Sequence, residues 1–510
     1  MLIRLADSRS VKGEILIVNI LLATSEAVPY AKTGGLADVC GTLPLELARL
    51  GHRPILVLPA YRRALWCGVP IDPMGIEFIV PIGSKTVTGR LLQSKLPGGE
   101  VPVYLIQQDQ YYDRAELYRE KDKDYVDNCE RFVFFCRAVL ELVRLLELNV
   151  DLLHVNDWQT GLIPAYLKLE YRNLPRYRNI ATLFTIHNLA YQGSFWHWDM
   201  LLTGLDWRHF NWREMEFYGK LNLMKTGLIF ADSLNTVSRR YAEEIQTPEF
   251  GFGLQSVLQH RRGVLTGILN GVNRKEWDPA TDRFLAANYT IETVDHGKPI
   301  CKAALQEKFG LPRRAAVPVV GVIGRIAHQK GFDLIASILP KWAESEDVQW
   351  VILGKGDSTL EERFRRFAAQ YPQKVAVRID FCDDSAHLIE AGADMFLMPS
   401  RFEPCGLNQM YSLLYGSVPI VRETGGLADT IVDTSERTLV ERTANGFSFV
   451  QDSPVALNET LHRACAAYAR RDIWRQLIDT GMRQDWSWQR SARQYAALYE
   501  ETARRGAASA

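Results

Sequence analysis

Runs of apolar residues alternate along the first half of the chain with longer stretches of helical spacing. Five of these runs predict buried strands: ILIVNILLAT (15–24), PILVLP (54–59), VYLIQ (103–107), DLLHVN (151–156) and ATLFTIH (181–187). A buried strand that is followed each time by a helical stretch is the pattern of βαβ units, which build parallel sheets. We therefore predict that the first half forms a doubly wound, Rossmann-like α/β domain.

A second series of apolar runs follows a stretch of weak periodicity at 277–290 (WDPATDRFLAANYT), which is typical of a linker. Its predicted strands are VPVVGVIG (317–324), VQWVILG (348–354), KVAVRID (374–380), MFLMPS (395–400) and VPIVRE (418–423). The predicted domains are 14–285 and 290–485, and the amphipathic stretch 486–505 is predicted to be a helix that packs back on the first domain. Two doubly wound sheets hold ligands at the carboxyl ends of their strands, so we expect the domains to face each other across a cleft.

One hexapeptide, TGGLAD, occurs at Thr33–Asp38 and again at Thr424–Asp429. Lys32 precedes the first copy and Glu423 precedes the second. Paired glycines before Leu-Ala-Asp suit a turn from strand to helix in which a ligand contacts backbone N–H groups. Both turns are therefore expected to line the cleft. Duplication of an ancestral half and convergence on one turn remain equally open.

The composition limits which classes of protein this chain can belong to. The 510 residues are 47% hydrophobic and 24% charged, which is typical of a soluble globular protein of two or three domains. The formal net charge of +0 argues against nucleic acid or an anionic membrane as a partner. Eight cysteines without a CxxC pair favour reduced thiols, hence a cytoplasmic protein. A signal peptide at 15–23 is disfavoured, because Asp7 and Glu14 precede a run that suits a buried strand.

Two motifs that follow predicted strands carry the candidate chemistry. In GRIAHQKG (324–331), Arg325 and Lys330 can converge on one diphosphate, although cations at this place are often merely solvated. In SRFEPCGLNQ (400–409), Glu403 is aimed into the cleft, and the N–H groups of Gly406 and Leu407 stand at a helix start. The alternative is that Glu403 only complements the dipole of that helix.

These motifs, taken together, resemble those of a known family. The resemblance rests on AKTGGLADV (31–39), HVNDWQTGL (154–162), TIHNLAYQG (185–193), IQTPEFGFGL (245–254), ILNGVN (268–273), GRIAHQKG and SRFEPCGLNQ. In this order they are similar to bacterial glycogen synthases and plastid starch synthases, over roughly residues 15–500. The resemblance implies a GT-B glycosyltransferase that transfers glucose from ADP-glucose to the non-reducing 4-hydroxyl of an α-1,4-glucan, with retention of the α configuration. It implies neither a metal nor another cofactor.

The same resemblance suggests roles for single residues. His187 would lie beside the glucosyl anomeric carbon, Arg325 and Lys330 would neutralise the leaving group, and Glu403 would be the acid at the glucose; these four are the catalytic candidates. A histidine that ends a strand is more often structural, and a phenylalanine there is more often core. Lys32 is expected to contact ADP-glucose, Gly34 and Gly35 to cradle its diphosphate, and Asp38 to support their loop. The other residues expected to bind substrate are Asp157 at sugar or acceptor, Phe381 on adenine, and Asn270, Cys405, Gly406, Leu407, Thr424 and Gly425.

The chain departs from the family pattern at three positions, where Asn156, Cys301 and Lys355 replace the more usual residues. Four tryptophans also crowd the segment after HNLAYQG, at 196, 198, 207 and 212. Core packing is the default expectation for them, and stacking on glucan rings is the alternative. The DxD sequence at 122–124 lies in a charged run, so a solvated helix face explains it better than a metal site.

Retaining hydrolases use two carboxylates about 5 Å apart. Glu403 has no partner motif, which favours departure of the diphosphate and attack from the same face. A GT-B enzyme that uses UDP-glucose and a catalytically silent glucan-binding protein remain the alternatives. A dehydrogenase is disfavoured, because LGKGDS (353–358) lacks the spacing of a dinucleotide-binding loop.

Overall fold

Two separate sheets, each with its own buried core, organise the chain in the computed structural model, which describes residues 17–121 and 123–509. The strands of the first half are β1 (Asn19–Ala23), β2 (Arg53–Pro59), β3 (Asp72–Ile82), β4 (Lys85–Lys95), β5 (Pro102–Gln107), β6 (Arg119–Glu120), β7 (Lys123–Asp124), β8 (Leu152–Asn156), β9 (Ala181–Ile186), β10 (Ser194–Phe195), β11 (Glu216–Phe217), β12 (Lys220–Asn222), β13 (Ser233–Thr236) and β14 (Leu265–Gly267).

The first sheet has nine strands in the order β14-β13-β9-β8-β1-β2-β5-β4-β3. The five strands predicted from apolar runs are confirmed as β1, β2, β5, β8 and β9, and all of their pairings with one another are parallel. The expectation of a purely parallel sheet is wrong at one edge, where β3, β4 and β5 pair antiparallel. Alternation of exposed and buried residues in β3 and β4 suits such a half-solvated edge.

The helices of the first half connect its strands, and some of them begin inside the cleft motifs. They are α1 (Gly35–Arg49), α2 (Arg62–Leu65), α3 (Asp109–Tyr112), α4 (Asn128–Leu145), α5 (Leu162–Tyr166), α6 (Met200–Thr203), α7 (Leu223–Phe230), α8 (Arg239–Glu244) and α9 (Gln255–His260). Helix α1 begins inside the first TGGLAD turn. Helix α8 begins after Ser238, whose hydroxyl accepts the Tyr241 N–H as an N-cap.

The second sheet is parallel throughout, with the order β17-β16-β15-β18-β19-β20. Its strands are β15 (Val319–Ile323), β16 (Gln349–Leu353), β17 (Val375–Arg378), β18 (Met395–Met398), β19 (Val418–Arg422) and β20 (Phe447–Phe449), and the five predicted ones are confirmed. The helices are α10 (Val294–Lys308), α11 (Phe332–Ser345), α12 (Ser358–Gln370), α13 (Asp383–Gly392), α14 (Asn408–Leu414), α15 (Gly425–Thr430), α16 (Glu436–Val440), α17 (Pro454–Tyr468) and α18 (Arg471–Met482).

The last helix, α19 (Trp488–Ser509), packs against β8, β9 and α1 of the first domain. The Tyr499 hydroxyl lies 2.8 Å from His154 Nδ1, and the Tyr495 hydroxyl donates to Asn235 at 3.0 Å. Trp277, in the predicted linker, instead stacks on His387 of the second domain with ring centroids 3.7 Å apart. The chain thus crosses between the cores twice. The limits 14–285 and 290–485 stay predictions.

Each sheet has one place where the strand order reverses, and such a switch point is where doubly wound sheets bind ligands. In the first sheet it lies between β1 and β8, and in the second it lies between β15 and β18. The loops after these four strands carry the first TGGLAD, Asp157, GRIAHQKG and Glu403, respectively. The topology therefore concentrates the candidate chemistry at the two switch points.

Candidate active site at the switch points

The loop after β1 is built around a buried glutamate that the sequence did not single out. Glu26, only 4% exposed, accepts hydrogen bonds from Thr33 N at 2.5 Å, the Thr33 hydroxyl at 2.6 Å and Gly34 N at 3.2 Å. The Gly34 N–H therefore donates to Glu26 inside the loop. This differs from the expectation that it cradles a diphosphate. A Cβ at Gly34 or Gly35 would meet nothing within 4 Å, so the outer side of the turn is open to a ligand.

Lys32 points out of this loop. Its ammonium lies 2.7 Å from Asp38 Oδ1, half of its side chain is exposed, and this is its only ion pair among the described residues. Burial raises the pKa of Asp38, and Lys32 opposes that effect. Asp38 thus contacts Lys32 directly, while the expected support of the loop by Asp38 and the role of Lys32 toward a donor stay predictions.

Asp157, directly after β8, has a strained backbone with φ 54° and ψ −176°. L-residues rarely adopt positive φ, and such strain concentrates at functional sites. The conformation is held by Asp157 N, which donates to Thr185 O at 3.0 Å, and by the carboxylate, which accepts His187 N at 2.7 Å. Burial raises the pKa of Asp157 to about 7.

His187 directly follows β9 and lies next to Asp157, and its tautomer follows from its contact with Asn156. Asn156 donates from Nδ2 to the Ala23 carbonyl at 3.1 Å, which turns its amide oxygen toward His187 Nε2 at 2.9 Å. Nε2 therefore carries the proton, and Nδ1 is left as an acceptor. Burial lowers the pKa of His187 to about 3, so the ring is neutral at pH 7. A neutral acceptor of this kind suits a sugar hydroxyl.

At the second switch point, the structure pairs Lys330 with Glu403 and places Arg325 on the same loop as Lys330. Lys330 Nζ lies 2.5 Å from Glu403 Oε2, which also accepts the Ser400 hydroxyl at 3.0 Å. Among the described residues, Arg325, on the same loop as Lys330, contacts only neutral groups, namely the Tyr191 hydroxyl at 3.2 Å and Gln329 Oε1 at 2.9 Å. Glu403 is buried whereas Arg325 is exposed, so the cluster presents an uncompensated positive charge to solvent.

The turn after Glu403 opens helix α14. Gly406 has φ +70°, which favours glycine, and the backbone N–H groups of Gly406 and Leu407 donate to no group in the described part of the chain. They remain available to an anion or a hydroxyl at the helix start. Cys405 is different, since its thiol is buried and burial raises its pKa to about 12. Any contact of Cys405 with substrate would therefore come from its backbone.

The second TGGLAD turn follows β19 and does not occupy the place of the first, which follows the central strand β1. Its donors are not free. The Gly425 N–H and the Thr424 hydroxyl both point to the carboxylate of Glu244, at 3.0 and 3.3 Å. This differs from the expectation that Thr424 and Gly425 offer their donors to a nucleotide. Unequal positions in the two sheets also favour convergence over duplication for the repeat.

Side chains from the two domains touch at the mouth of the cleft. Arg325 reaches Tyr191 in the HNLAYQG motif, and the ring of Phe252 packs edge-on against Phe402 at 5.5 Å. Gln192 Nε2 donates to Phe252 O at 3.0 Å, which ties the two motifs of the first domain to each other. Four motifs that lie far apart in sequence therefore meet at one junction.

The remaining predicted residues, Phe381 and Asn270, do not contact the Lys330–Glu403 pair in the described part of the chain. Phe381, in the turn after β17, is 68% exposed, so it is not core, and its stacking on adenine stays a prediction. Asn270 is buried and lines a small cavity of about 160 Å³ between the crossover segments, together with Trp486 and Asp429. The structure does not bring Asn270 into contact with the Lys330–Glu403 pair.

Two expectations about surface segments are wrong. Trp196, Trp198, Trp207 and Trp212 are 62%, 49%, 41% and 72% exposed, so they do not pack in the core as the default expected. In the charged run, residues 119–120 and 123–124 form the exposed paired strands β6 and β7 and not a helix face, and Asp122 lies outside the described residues. The lead at 1–13 lies outside them as well.

No group of three or more His, Cys, Asp or Glu residues in the described ranges is arranged to hold a metal ion. In the same ranges, no helix has the length and apolar character needed to cross a membrane.

Comparison with known proteins places these features in context. Residues 19–260 match the family model described as the starch synthase catalytic domain, and residues 305–476 match the model described as glycosyl transferases group 1. The chain is 46% identical to a glycogen synthase of Rhodopirellula baltica, over 95% of this chain and 98% of that protein. It is 45% identical to a glycogen synthase of Syntrophotalea carbinolica, over 95% and 99%.

Two solved structures are similar as well. The catalytic domain of starch synthase IV from Arabidopsis thaliana, bound to ADP and acarbose, has a TM-score of 0.86 and 31% identity, covering 96% of this chain and all of that one. Sucrose-phosphate synthase from Thermosynechococcus elongatus, with a TM-score of 0.57, 16% identity and coverage of 95% and 98%, shares the fold. Both sheets and their order across the cleft are thus those of a GT-B fold.

Proposed function

Because the chain belongs to the family of bacterial glycogen synthases and starch synthases, we propose that it transfers glucose from ADP-glucose to the non-reducing 4-hydroxyl of an α-1,4-glucan. The observation that carries the proposal is the junction of four motifs, where Arg325, on the same loop as the Lys330 that pairs with Glu403, contacts Tyr191 of the first domain. ADP in the Arabidopsis starch synthase supports the choice of nucleotide.

The leaving diphosphate is assigned to the cations of the second domain. Arg325 has no acidic hydrogen-bond partner within residues 17–121 and 123–509, so its charge is available to phosphate oxygens. The free N–H groups of Gly406 and Leu407 lie at the start of α14 near the same switch point, where they add to the positive potential. Stabilising the charge that develops on the leaving group is then the largest contribution to catalysis.

Retention of the α configuration is proposed to follow a front-face route. Glu403 Oε2 is engaged by both Lys330 and Ser400, which suits a positioned acceptor of hydroxyl groups better than a free nucleophile. No second carboxylate is hydrogen-bonded to this pair in the described part of the chain. The departing diphosphate would then accept the proton of the attacking 4-hydroxyl. His187 Nδ1 and the Asp157 carboxylate supply acceptors for hydroxyls on the opposite wall.

The test is elongation of a labelled maltooligosaccharide, with ADP-glucose and UDP-glucose supplied separately and in competition. We expect products longer by successive glucose units, made preferentially from ADP-glucose, with NMR showing new α-linkages only. Preference for UDP-glucose would favour the alternative GT-B enzyme. Absence of elongation with either donor would favour a silent glucan-binding protein and contradict the proposal.

Fixed cations at the leaving group make a metal unnecessary in this proposal. We therefore expect the rate of elongation to be unchanged, within error, after treatment with EDTA and removal of the chelate. Loss of activity that Mg²⁺ or Mn²⁺ restores would contradict this part of the account. The cytoplasm is the compartment in which such a donor and acceptor would meet the enzyme, and we propose it as the location.

A further inference from the structure

We propose that Glu244, in helix α8 of the first domain, is a positioning residue that holds Glu403 of the second domain in place through the second TGGLAD turn. The inference rests on the proposed function, because it assigns Glu403 to the glucosyl-transfer site. Glu244 itself touches neither of the expected substrates. It acts across the domain boundary, on the backbone of the turn that contacts Glu403 of the Lys330–Glu403 pair.

The contact between Glu244 and the turn is close and buried. Gly425 N lies 3.0 Å from both carboxylate oxygens, and the Thr424 hydroxyl donates to one of them at 3.3 Å. Glu244 is 7% exposed and Thr424 is 1% exposed. The charge of Glu244 is balanced by Arg240 Nε at 3.2 Å, one turn earlier on the same helix. A charged acceptor makes stronger hydrogen bonds than a neutral one, so this carboxylate fixes the start of α15.

The second TGGLAD turn also supports Glu403. Gly426 N donates to the Glu403 carbonyl at 3.0 Å. A Cβ at Gly425 would lie 2.0 Å from that same carbonyl oxygen, and one at Gly426 would lie 1.9 Å from Cys405 O. The two glycines are therefore required because backbone packs directly on backbone, with no side chain to absorb a displacement. Movement of Gly425 must move Glu403, whose carboxylate holds Lys330.

A second contact fixes the opposite end of the same helix pair. Asp429, near the end of α15, accepts Arg239 N at 2.7 Å and Arg240 N at 3.1 Å, so it caps the start of α8. Glu244, at the end of α8, caps the start of α15. The two short helices thus run antiparallel and cap each other reciprocally. The contacts of Asp429 and Glu244 hold both ends of this helix pair. They therefore fix how the two domains align, so that the position of the first domain determines that of Glu403.

A positioning role and a purely stabilising role differ in what they predict. If Glu244 only stabilised the fold, its loss would lower the midpoint of unfolding and leave kcat per folded molecule unchanged. If it positions Glu403, its loss must lower kcat, because a displacement of about 1 Å at a reacting group costs on the order of 10²-fold in rate. The loss of kcat caused by substituting Glu244 must also disappear in a variant that already lacks the Lys330–Glu403 contact.

The experiment compares Glu244→Ala and Glu244→Gln with Glu243→Gln, a matched control at the exposed neighbouring position of the same helix. We expect kcat with saturating ADP-glucose and maltooligosaccharide to fall by about 10² in Glu244→Ala, with acceptor KM unchanged. Glu244→Gln, which keeps one acceptor oxygen, should recover part of the rate, and the control should match wild type. Because Glu244→Gln keeps the shape of the side chain, it provides the measurement if the alanine variant does not fold.

A double-mutant cycle with Lys330→Ala separates the two roles. We expect Glu244→Gln combined with Lys330→Ala to be no slower than Lys330→Ala alone, because residues that act as a unit are not additive. Wild-type kcat in the folded Glu244 variants, or losses that multiply in the double variant, would overturn the positioning role. Failure of the wild-type protein to elongate glucan would instead overturn the proposed function, so the two failures are distinguishable.

Discussion

At the scale of single residues, the most unusual feature is Asp157, which combines a strained backbone with a carboxyl group that ionises near neutrality. Its φ of 54° is held from both sides, by Thr185 O and by the backbone N–H of His187. Burial raises its pKa from 3.8 to about 7. The residue therefore changes charge in the pH range in which the enzyme is expected to work.

This gives a pH prediction. We expect kcat/KM for the acceptor to rise as the pH increases through about 7, because the ionised Asp157 carboxylate is the stronger acceptor of sugar hydroxyls. Asp157→Asn should abolish that step. Since the folded-state pKa lies above the unfolded value of 3.8, Asp157 also lowers the free energy of unfolding progressively between pH 3.8 and about 7. An unchanged pH step in the Asn variant would contradict the assignment.

The sequence motifs identified Arg325, Lys330 and Glu403 as neighbours, but they did not identify the carboxylates that order the loops. Glu26 and Glu244 lie in ordinary helical or loop contexts, and no local spacing marks them. Glu244 finds its partner Gly425 at a separation of 181 residues. Contacts of this kind depend on how the two domains meet, which a pattern of apolar runs does not contain.

At the scale of elements, strands buried on both faces were predictable and the others were not. All ten apolar runs became strands, because a parallel strand between two helix layers must be apolar throughout. The hairpin of β3 and β4 was missed because the predicted strands were all buried apolar runs, whereas exposed and buried positions alternate along this hairpin. Strands β13, β14 and β20 are only three or four residues long. Short strands carry too few positions for a periodicity to be recognised.

Helix α19 offers a stability prediction. The hydroxyl of Tyr499 contacts His154 Nδ1, and both residues are fully buried. Burial lowers the pKa of His154 to about 3, so the ring is neutral and needs this partner. Tyr499→Phe should lower the free energy of unfolding in urea by about 1–3 kcal/mol, the cost of an unsatisfied buried group. Tyr218→Phe, at an 81% exposed site, should change it by less than about 0.5 kcal/mol.

The exposed tryptophans of the segment 195–212 lead to a second prediction at this scale. The rings of Trp198 and Trp207 lie 5.4 Å apart and both face solvent, which leaves flat apolar faces for stacking on sugar rings. We expect Trp198→Ala to weaken binding to glycogen about tenfold, or about 1.4 kcal/mol, in affinity electrophoresis. Turnover on a short maltooligosaccharide should not change. The control is Trp66→Ala, which is 84% exposed after α2; equal losses in both variants would contradict a specific surface.

At the scale of the whole molecule, the site is a product of topology. Each sheet places its reversal of strand order at the cleft, and the loops there supply acceptors from the first domain and cations from the second. Only the assembled junction brings Arg325 to Tyr191. Sequence patterns predicted the two sheets and the cleft. They did not predict that the second TGGLAD turn joins the domains through Glu244.

The central claim is that the Arg325, Lys330 and Glu403 cluster is the site of glucosyl transfer, and the most direct test is the turnover of ADP-glucose by Lys330→Ala. Lys341→Ala, at an exposed position of α11, is the matched control. We expect kcat to fall by about 10²–10³ in Lys330→Ala, as for the loss of one stabilising group at a developing negative charge, with the control unchanged. Turnover near wild type in a folded Lys330→Ala protein would contradict the account.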